Sequence, residues 1–261
     1  MSGRRCDVRP AANFVPCPVF SGFKRDYHND ILIPTGYDIQ MASGKVFLGT
    51  SSKKSGRSHM LPPLHDTTPF AAKRDAIVWR GSLSTCGGTT DTSCRAKVAS
   101  LPAETTSSFL DAKLVHGDDT VVHKTVGTEF HQARIDARSF GVPMSRDEQL
   151  SHKYVMMLGG TNTNASLPYF FQSNSLVLFG GDHGGYKMWY SDTLRPGKHY
   201  LPVDCSLPAD RLAVELKAVV DAGLRDSMPY ERIVRNAQAF YRAHITMDAI
   251  VDYMHGVLSR L

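Results

Sequence analysis

The chain contains a run of five apolar residues, Tyr154-Val155-Met156-Met157-Leu158, that ends directly in Gly159-Gly160. Two further apolar runs, 76–79 and 176–179, also stop at a glycine or one residue before it. Continuous apolar runs of this length are typical of strands that are buried on both faces, as in a parallel sheet. The sequence therefore predicts a parallel sheet that includes these three strands.

Helical patterns lie between and after these runs. In segment 210–223 the apolar residues recur at helical spacing and fall on one face: Leu212, Leu216, Val219 and Val220. Segments 230–244 and 246–261 are also predicted to be helices. Alternating strands and helices predict an α/β fold, and in such folds ligands bind where the strands end. We therefore expect the functional residues in three loops, 80–95, 159–166 and 180–186.

The composition is that of an ordinary globular protein, with 42% hydrophobic and 21% charged residues in 261. No apolar segment approaches the roughly 20 residues of a membrane-spanning helix, and the first residues do not resemble a secretion signal. The net charge of +5 is too small for a nucleic-acid-binding protein. The five cysteines lack metal-binding spacing. We therefore expect a cytoplasmic protein with reduced thiols, no membrane span and no nucleic-acid partner.

The first loop begins with Arg80-Gly81-Ser82 and continues to Arg95. An arginine can hold a phosphate through two parallel hydrogen bonds, a glycine lets a ligand approach the backbone, and a hydroxyl adds a donor. Arg80, Gly81, Ser82 and Arg95 are therefore predicted to bind an anionic group. The alternative interpretation is a turn with an exposed arginine, and composition alone favours that alternative.

The second loop leads from a strand through glycines and small polar residues into a predicted helix. Free N–H groups at the start of a helix attract phosphate or diphosphate. The residues predicted to line this anion site are Gly160, Thr163, Asn164 and Ser166. Their spacing matches neither the glycine pattern of dinucleotide-binding proteins nor that of P-loop nucleotide hydrolases. A plain strand-to-helix turn remains the alternative.

The third loop carries Asp182-His183 between glycines. A single Asp-His pair is a weak metal signal, and the flanking glycines favour a flexible loop. The chain also lacks any Asp-x-Asp triplet, which is the divalent-metal clamp of many sugar-nucleotide transferases. We therefore expect no metal site and no metal cofactor.

Several short segments, taken in order, resemble the CAP10-like glycosyltransferases of family 90, which include protein O-glucosyltransferases and fungal xylosyltransferases. Each segment is loosely defined alone, but their shared order spans nearly the whole chain. The segments are Pro18-Val19-Phe20-Ser21, Tyr27-His28-Asn29-Asp30-Ile31, Trp79-Arg80-Gly81-Ser82, Phe109-Leu110-Asp111-Ala112, His152-Lys153-Tyr154 with Gly160, Ser175-Leu176-Val177-Leu178, Lys198-His199-Tyr200-Leu201-Pro202-Val203 and the helix at 248–253.

This resemblance implies a GT-B-like α/β architecture with two lobes and a cleft between them. It divides the chain into a reduced N-terminal acceptor-side lobe (1–74), a Rossmann-like UDP-sugar-binding lobe (75–245) and a C-terminal helix that packs back toward the N-terminal lobe (246–261). About 75 residues are too few for a complete Rossmann lobe. The implied activity is metal-independent, inverting transfer of xylose or glucose from a UDP-sugar to a hydroxyl of a glycan or glycoprotein, and we favour xylose.

The resemblance also assigns roles to residues. The family's catalytic base is an aspartate upstream of the Pro18 segment, where this chain has Asp7, and Asp38 is the second candidate. Asp111 is expected to be structural or to lie near the uridine. The family's arginine after the second loop aligns with Ser166. Neutralisation of the diphosphate is therefore expected to depend on Arg80, Arg95 and backbone N–H groups.

A non-catalytic sugar-nucleotide or glycan-binding module is the alternative function. The reduced first lobe and the serine at position 166 are the grounds for it. Most members of the family are secreted and disulfide-bonded, whereas this chain has few cysteines and no recognised signal. These features fit a cytoplasmic homologue of the kind that large DNA viruses, such as chloroviruses, encode.

Overall fold

The N-terminal part of the chain forms two small sheets and one helix. The structure, a computed structural model, describes residues 19–24, 28–43, 46–47, 60–61, 64, 66–82, 93–115, 137–159, 167–180 and 186–260. Strand β1 (Phe20–Ser21) pairs in parallel with β2 (Ile31–Leu32). Helix α1 (Gly36–Ala42) follows, and then β3 (Val46–Phe47) pairs antiparallel with β4 (Met60–Leu61).

The centre of the molecule is a five-stranded parallel sheet in the order β6-β5-β7-β8-β9. The three apolar runs of the sequence are three of these strands, as predicted. The α/β fold class with a Rossmann-like C-terminal lobe is confirmed by this order, in which the chain runs first to one side of β5 and then to the other. The strands are β5 (Arg74–Gly81), β6 (Leu110–Leu114), β7 (His152–Leu158), β8 (Leu176–Gly180) and β9 (Leu201–Pro202).

Seven helices of the described residues accompany this sheet, together with short 3-10 turns at Phe70–Ala72, Ala137–Ser139 and Ser191–Thr193. The three helices predicted near the C-terminus are confirmed, with ends that differ by a few residues. The helices are α2 (Cys94–Ala99), α3 (Ala103–Thr106), α4 (Arg146–Leu150), α5 (Leu167–Phe170), α6 (Ala209–Arg225), α7 (Met228–His244) and α8 (Met247–Leu258).

The two faces of the sheet pack against different helices. Face A is the side that carries Trp79 and Tyr154, and its apolar cluster includes residues of α2, α6 and the first half of α7. Face B is the side that carries Val78 and Val155, and its cluster includes residues of α4, α5 and the second half of α7. Burial on both faces explains why the central residues of β5, β7 and β8 form continuous apolar runs.

The last two helices contact the N-terminal part of the chain. The hydroxyl of Tyr253 in α8 donates to the carbonyl oxygen of Leu32 at 2.8 Å, and that of Tyr241 in α7 donates to the carbonyl oxygen of Met41 at 3.3 Å. The division of the chain into lobes at residues 74 and 245 stays a prediction. Among the described helices, none combines the length and the apolar character needed to cross a membrane.

A disulfide joins Cys94 at the start of α2 to Cys205 in the segment after β9, with the two Cα atoms 5.2 Å apart. The expectation that the thiols are reduced is wrong for this pair. Spacing could not have indicated the bond, because the two cysteines are 111 residues apart and meet only once the sheet is formed.

Candidate functional site

The candidate site lies where the strand order of the sheet reverses. The chain leaves β5 to form β6 on one side and returns to form β7 on the other, and the helix after β5 (α2) lies on face A while the helix after β7 (α5) lies on face B. In open α/β sheets, ligands bind in the crevice that this divergence opens at the carboxyl ends of the strands. Residues 80–82 and 159, the described first residues of the two loops that the sequence indicated, lie at this edge of the sheet.

Arg95 links the two strand ends that form the crevice. Helix α2 begins after Ser93, whose side chain accepts a hydrogen bond from the backbone N–H of Ala96. This start places Arg95 in the first turn. Its Nη1 donates to the carbonyl oxygen of Ser82 at 2.9 Å, and its Nε and Nη2 donate to that of Leu158 at 3.2 and 2.9 Å. Arg95 therefore bridges the ends of β5 and β7, and its predicted role in binding an anionic group stays a prediction.

Arg80 forms an ion pair with Asp111 on face B. Its Nη2 is 2.8 Å from Oδ2 of Asp111, and its Nη1 donates to the carbonyl oxygens of Asp111 and Trp79 at 2.9 and 3.0 Å. The Arg80 side chain is 9% exposed and that of Asp111 is 40% exposed. The structure thus brings together two predicted site residues that the sequence did not pair. Arg95, in contrast, reaches the strand ends from a helix of face A.

Gly81 is required by its neighbour Trp79. A Cβ atom at position 81 would lie 2.5 Å from Cζ2 of the Trp79 ring, which is closer than real Cβ contacts. The next residue, Ser82, is exposed, and the structure shows its carbonyl oxygen bound to Arg95. Packing against the indole explains the glycine, and a role of Gly81 and Ser82 in ligand binding stays a prediction.

Asp38 is completely buried, with 0% of its surface exposed. Its Oδ2 accepts from the N–H and the hydroxyl of Thr35, each at 2.7 Å, and forms the capping box that starts α1. Burial raises the pKa of Asp38, an effect that hydrogen bonds from Thr35 oppose. A base must reach the acceptor hydroxyl, so the burial of Asp38 weighs against that role, which stays a prediction.

The remaining predicted residues lie outside the described part of the chain, and their roles stay predictions. They are Asp7, Gly160, Thr163, Asn164 and Ser166. Within the described residues, no group of three His, Cys, Asp or Glu side chains is arranged to hold a metal ion. The expectation of no metal cofactor also stays a prediction.

Two cationic residues near the site were missed in the sequence. The Nζ atom of Lys97 in α2 donates to the carbonyl oxygens of Cys205 and Leu207, each at 2.7 Å. The guanidinium of Arg146 lies 4.3 Å above the ring centre of Tyr169. Neither contact has a local sequence signal, because both join segments that are distant along the chain.

The α/β sheet has a crevice at the carboxyl ends of β5 and β7, and Arg95 bridges these two strand ends. The sequence profile of glycosyl transferase family 90 matches residues 4–261. The chain belongs to glycosyl transferase family 90. The resemblance found in the sequence is confirmed by this match.

Curated viral proteins are similar to this family 90 chain. Uncharacterized protein 035R of Invertebrate iridescent virus 3 is 27% identical over 251 residues, which cover 94% of this chain and 21% of that protein. Uncharacterized protein 179R of Invertebrate iridescent virus 6 is 22% identical over 275 residues, which cover 94% of this chain and 23% of that protein. The family 90 chain thus spans about a fifth of the length of the curated relatives it matches.

Solved structures of glycosyltransferases align with the family 90 chain at low identity. The structure of Anabaena Alr3699/HepE in complex with UDP aligns with a TM-score of 0.44 at 16% identity, over 74% of this chain and 50% of that one. A glycosyltransferase from Rickettsia africae ESF-5 aligns with a TM-score of 0.43 at 10% identity, over 70% of this chain and 46% of that one. Each alignment covers about half of the solved chain.

Proposed function

We propose that this family 90 chain is a UDP-sugar-dependent glycosyltransferase that moves xylose or glucose to a hydroxyl of a glycan or glycoprotein. The observation that carries the proposal is the family match over residues 4–261. The crevice between β5 and β7 supports a location for the nucleotide, because it is where α/β sheets bind such ligands. In this proposal residues 75–245 hold the donor, 1–74 face the acceptor, and 246–261 connect back to the first lobe, as in a reduced GT-B enzyme.

The proposed reaction is a single displacement at the anomeric carbon. The acceptor oxygen forms the new glycosidic bond while a base removes its proton. The bond between the anomeric carbon and the diphosphate oxygen breaks, and UDP leaves with the electron pair. Attack from the side opposite UDP inverts the anomeric configuration. Positioning the two sugars in line can supply up to about 7–11 kcal/mol of the barrier.

The departing diphosphate needs positive charge and N–H donors in place of a metal ion. Arg95 fixes the ends of β5 and β7, from which the two loops predicted to bind the diphosphate depart. Each donor aimed at the developing negative charge is worth about 2.7–4 kcal/mol. Metal independence is therefore part of the proposal.

Asp7 is the preferred base in this proposal. Asp38 is completely buried, and a general base must come within hydrogen-bond reach of the hydroxyl that it deprotonates. Asp38 is also enclosed by the start of α1. Asp7 is preferred because it lies upstream of the Pro18 segment, where the resemblance to family 90 places the catalytic base.

The experiment measures UDP release from UDP-xylose and UDP-glucose by the full chain, with glycan or glycoprotein acceptors, with and without EDTA. The expected result is acceptor-dependent release that EDTA does not change, with an inverted product by NMR. The Asp7→Asn variant should lose turnover and keep its affinity for UDP, while the matched Asp38→Asn variant keeps turnover. Binding of a UDP-sugar without turnover would favour the non-catalytic module, and binding of no uridine nucleotide would contradict the proposal.

A further inference from the structure

Two buried arginine nitrogens on face B have no hydrogen-bond partner. Within the described residues, Nε of Arg80 and Nη1 of Arg146 are such atoms; the other buried side-chain atoms without a partner are Oδ1 of Asp38, Oη of Tyr154 and Nε1 of Trp189. An unsatisfied buried donor costs about 1–3 kcal/mol, and more when it is charged. Such a group in a native protein calls for an explanation, and a bound ligand is one.

Arg146 is positioned by the helix that carries it and by the ring of Tyr169. It is the first residue of α4, where Ser145 and Glu148 form a capping box. Its Cζ atom lies 4.3 Å above the ring centre of Tyr169, which is buried. Stacking on an aromatic face fixes a guanidinium plane without using its N–H donors. The described residues include no carboxylate in an ion pair with Arg146, and burial lowers its pKa.

The direction of α4 brings Arg146 toward the candidate site. The helix runs toward the start of β7, since Leu150 is its last residue and Ser151 accepts a hydrogen bond from the N–H of Arg74 at the start of β5. Side chains of an α-helix tilt toward its N-terminus. From this general tendency we infer that the Arg146 side chain tilts away from the strand starts.

The partners of Arg146 also belong to the surroundings of the crevice. Tyr169 lies in α5, the helix that directly follows loop 160–166 from the end of β7. Glu148, two residues after Arg146, lies close enough to Arg80 to feel its charge: hydrogen bonds from Ser145 lower the pKa of Glu148, and Arg80 lowers it further. Arg80, through its pair with Asp111, and Arg146, through its contact with Tyr169, both belong to face B.

We propose that Arg146 is a substrate-contacting residue of the donor site, and that its idle Nη1 donates to a diphosphate oxygen of the bound UDP-sugar. The assignment rests on the proposed function. Arg80 and Arg95 already donate to protein oxygens through their terminal nitrogens, whereas Nη1 of Arg146 has no partner and can donate to a ligand without breaking an existing bond. The ring of Tyr169 orients the guanidinium, and the diphosphate supplies the negative charge that its surroundings lack.

The test compares the affinities of UDP and uridine by isothermal titration calorimetry. Arg146→Met removes the donors and keeps the buried stem. It should weaken UDP binding by roughly 10- to 100-fold, as expected for one hydrogen bond between charged groups, and leave uridine binding unchanged. A merely structural role would weaken both ligands alike. Arg138→Met is the matched control, because Arg138 is exposed and pairs with Glu104; it should change neither affinity.

Two more variants keep the assignment falsifiable if Arg146→Met does not fold. Arg146→Lys keeps the charge and should bind UDP with intermediate affinity and uridine normally. Tyr169→Leu removes the ring that orients the guanidinium and should weaken the binding of UDP more than that of uridine. Equal UDP affinity in wild type and Arg146→Met, or equal losses for UDP and uridine, would overturn the assignment alone. A wild-type chain that binds no UDP would overturn the proposed function and the assignment with it.

Discussion

The two edges of the central sheet are built from different interactions. At the amino edge, where β5, β7 and β8 start, buried lysines pair with carboxylates: Lys73 with Asp66 at 2.6 Å, and Lys153 with Asp75. At the carboxyl edge, where these strands end, Arg80 pairs with Asp111, whereas Arg95 donates only to backbone oxygens in the bonds seen here, those of Ser82 and Leu158.

This difference between the two edges indicates which edge contributes only to stability and which also contributes to ligand binding. A carboxylate cancels the charge of its lysine, so the amino edge is neutralised within the protein. A carbonyl oxygen satisfies an N–H donor and carries no net charge. Lys97 near the carboxyl edge also donates to carbonyl oxygens, those of Cys205 and Leu207. We infer that changes at the amino edge cost stability, whereas changes at the carboxyl edge also alter anion binding.

The largest effect on stability is expected from Asp66→Ala at the amino edge. The side chains of Lys73 and Asp66 are 0% and 5% exposed, and Oδ2 of Asp66 also accepts from the N–H of Asn174 at 2.8 Å. Removing the carboxylate leaves a buried ammonium unpaired, which costs about 3–5 kcal/mol. Urea unfolding measures the loss.

The matched control for Asp66→Ala is Asp221→Ala, which removes an exposed pair with Lys217 on α6. Such surface pairs are worth at most about 0.2–1 kcal/mol. The comparison of edges predicts that Asp66→Ala leaves the UDP affinity of the folded protein unchanged. A small loss for Asp66→Ala, similar to that of the control, would show that the amino edge does not depend on its ion pair.

The next largest effect is expected from removal of the disulfide at the carboxyl edge. The bond between Cys94 and Cys205 closes a loop of 111 residues, and such bonds typically contribute about 2–4 kcal/mol. The Cys94→Ala/Cys205→Ala double variant should unfold at a correspondingly lower temperature. A reducing agent should lower the melting temperature of the wild type and leave that of the double variant unchanged. If it lowers neither, the disulfide does not stabilise the fold.

A smaller loss is expected from Gly180→Ala at the end of β8. A Cβ atom there would lie 2.9 Å from Sγ of Cys205 and from Cδ2 of Leu158, and overpacking of this kind costs about 1–3 kcal/mol. Gly256→Ala in α8 is the matched control, because nothing lies within 4 Å of its added Cβ. It should raise stability by about 0.4–1 kcal/mol. Equal thermal shifts for the two variants would contradict tight packing at this strand end.

The smallest effect is a pH dependence at the amino edge. Burial lowers the pKa of His152 from its ordinary value, so the unfolded chain binds more protons than the folded protein as the pH falls below about 6.5. The contribution of His152 to the free energy of unfolding is therefore fully present above that pH and is lost as the pH falls. His152→Gln should reduce the stability difference between pH 7.5 and 5.0 measured by urea unfolding. Burial also lowers the pKa of His199, so part of the slope should remain; an unchanged slope would exclude His152 as a contributor.

The sequence predicted the interior strands, whose apolar runs are continuous, and missed the edge strand β6, whose apolar residues alternate with polar ones. β5, β7 and β8 are interior strands covered on both faces, so their runs are continuous. β6 lies at the edge of the sheet and alternates buried Leu110 and Leu114 with half-exposed Asp111 and Lys113. Such a short alternation gives a much weaker signal.

The candidate site was predictable in position and only partly in its contacts. Loops after apolar strands located the crevice, and Arg95 lies in it. The pairing of Arg80 with Asp111 depends on the register of β5 against β6, and the stacking of Arg146 on Tyr169 depends on how α4 and α5 pack on face B. Strand register and helix packing are tertiary properties, so they cannot be predicted from residue types and local spacing.

The most direct test of the account is hydrogen–deuterium exchange with and without saturating UDP. The central claim is that the carboxyl edge between β5 and β7 binds the nucleotide. UDP should slow exchange in peptides that cover 81–95 and 158–167, and leave peptides that cover 66–75 and 152–154 unchanged. Slower exchange confined to the amino edge, or no change at either edge, would contradict the claim.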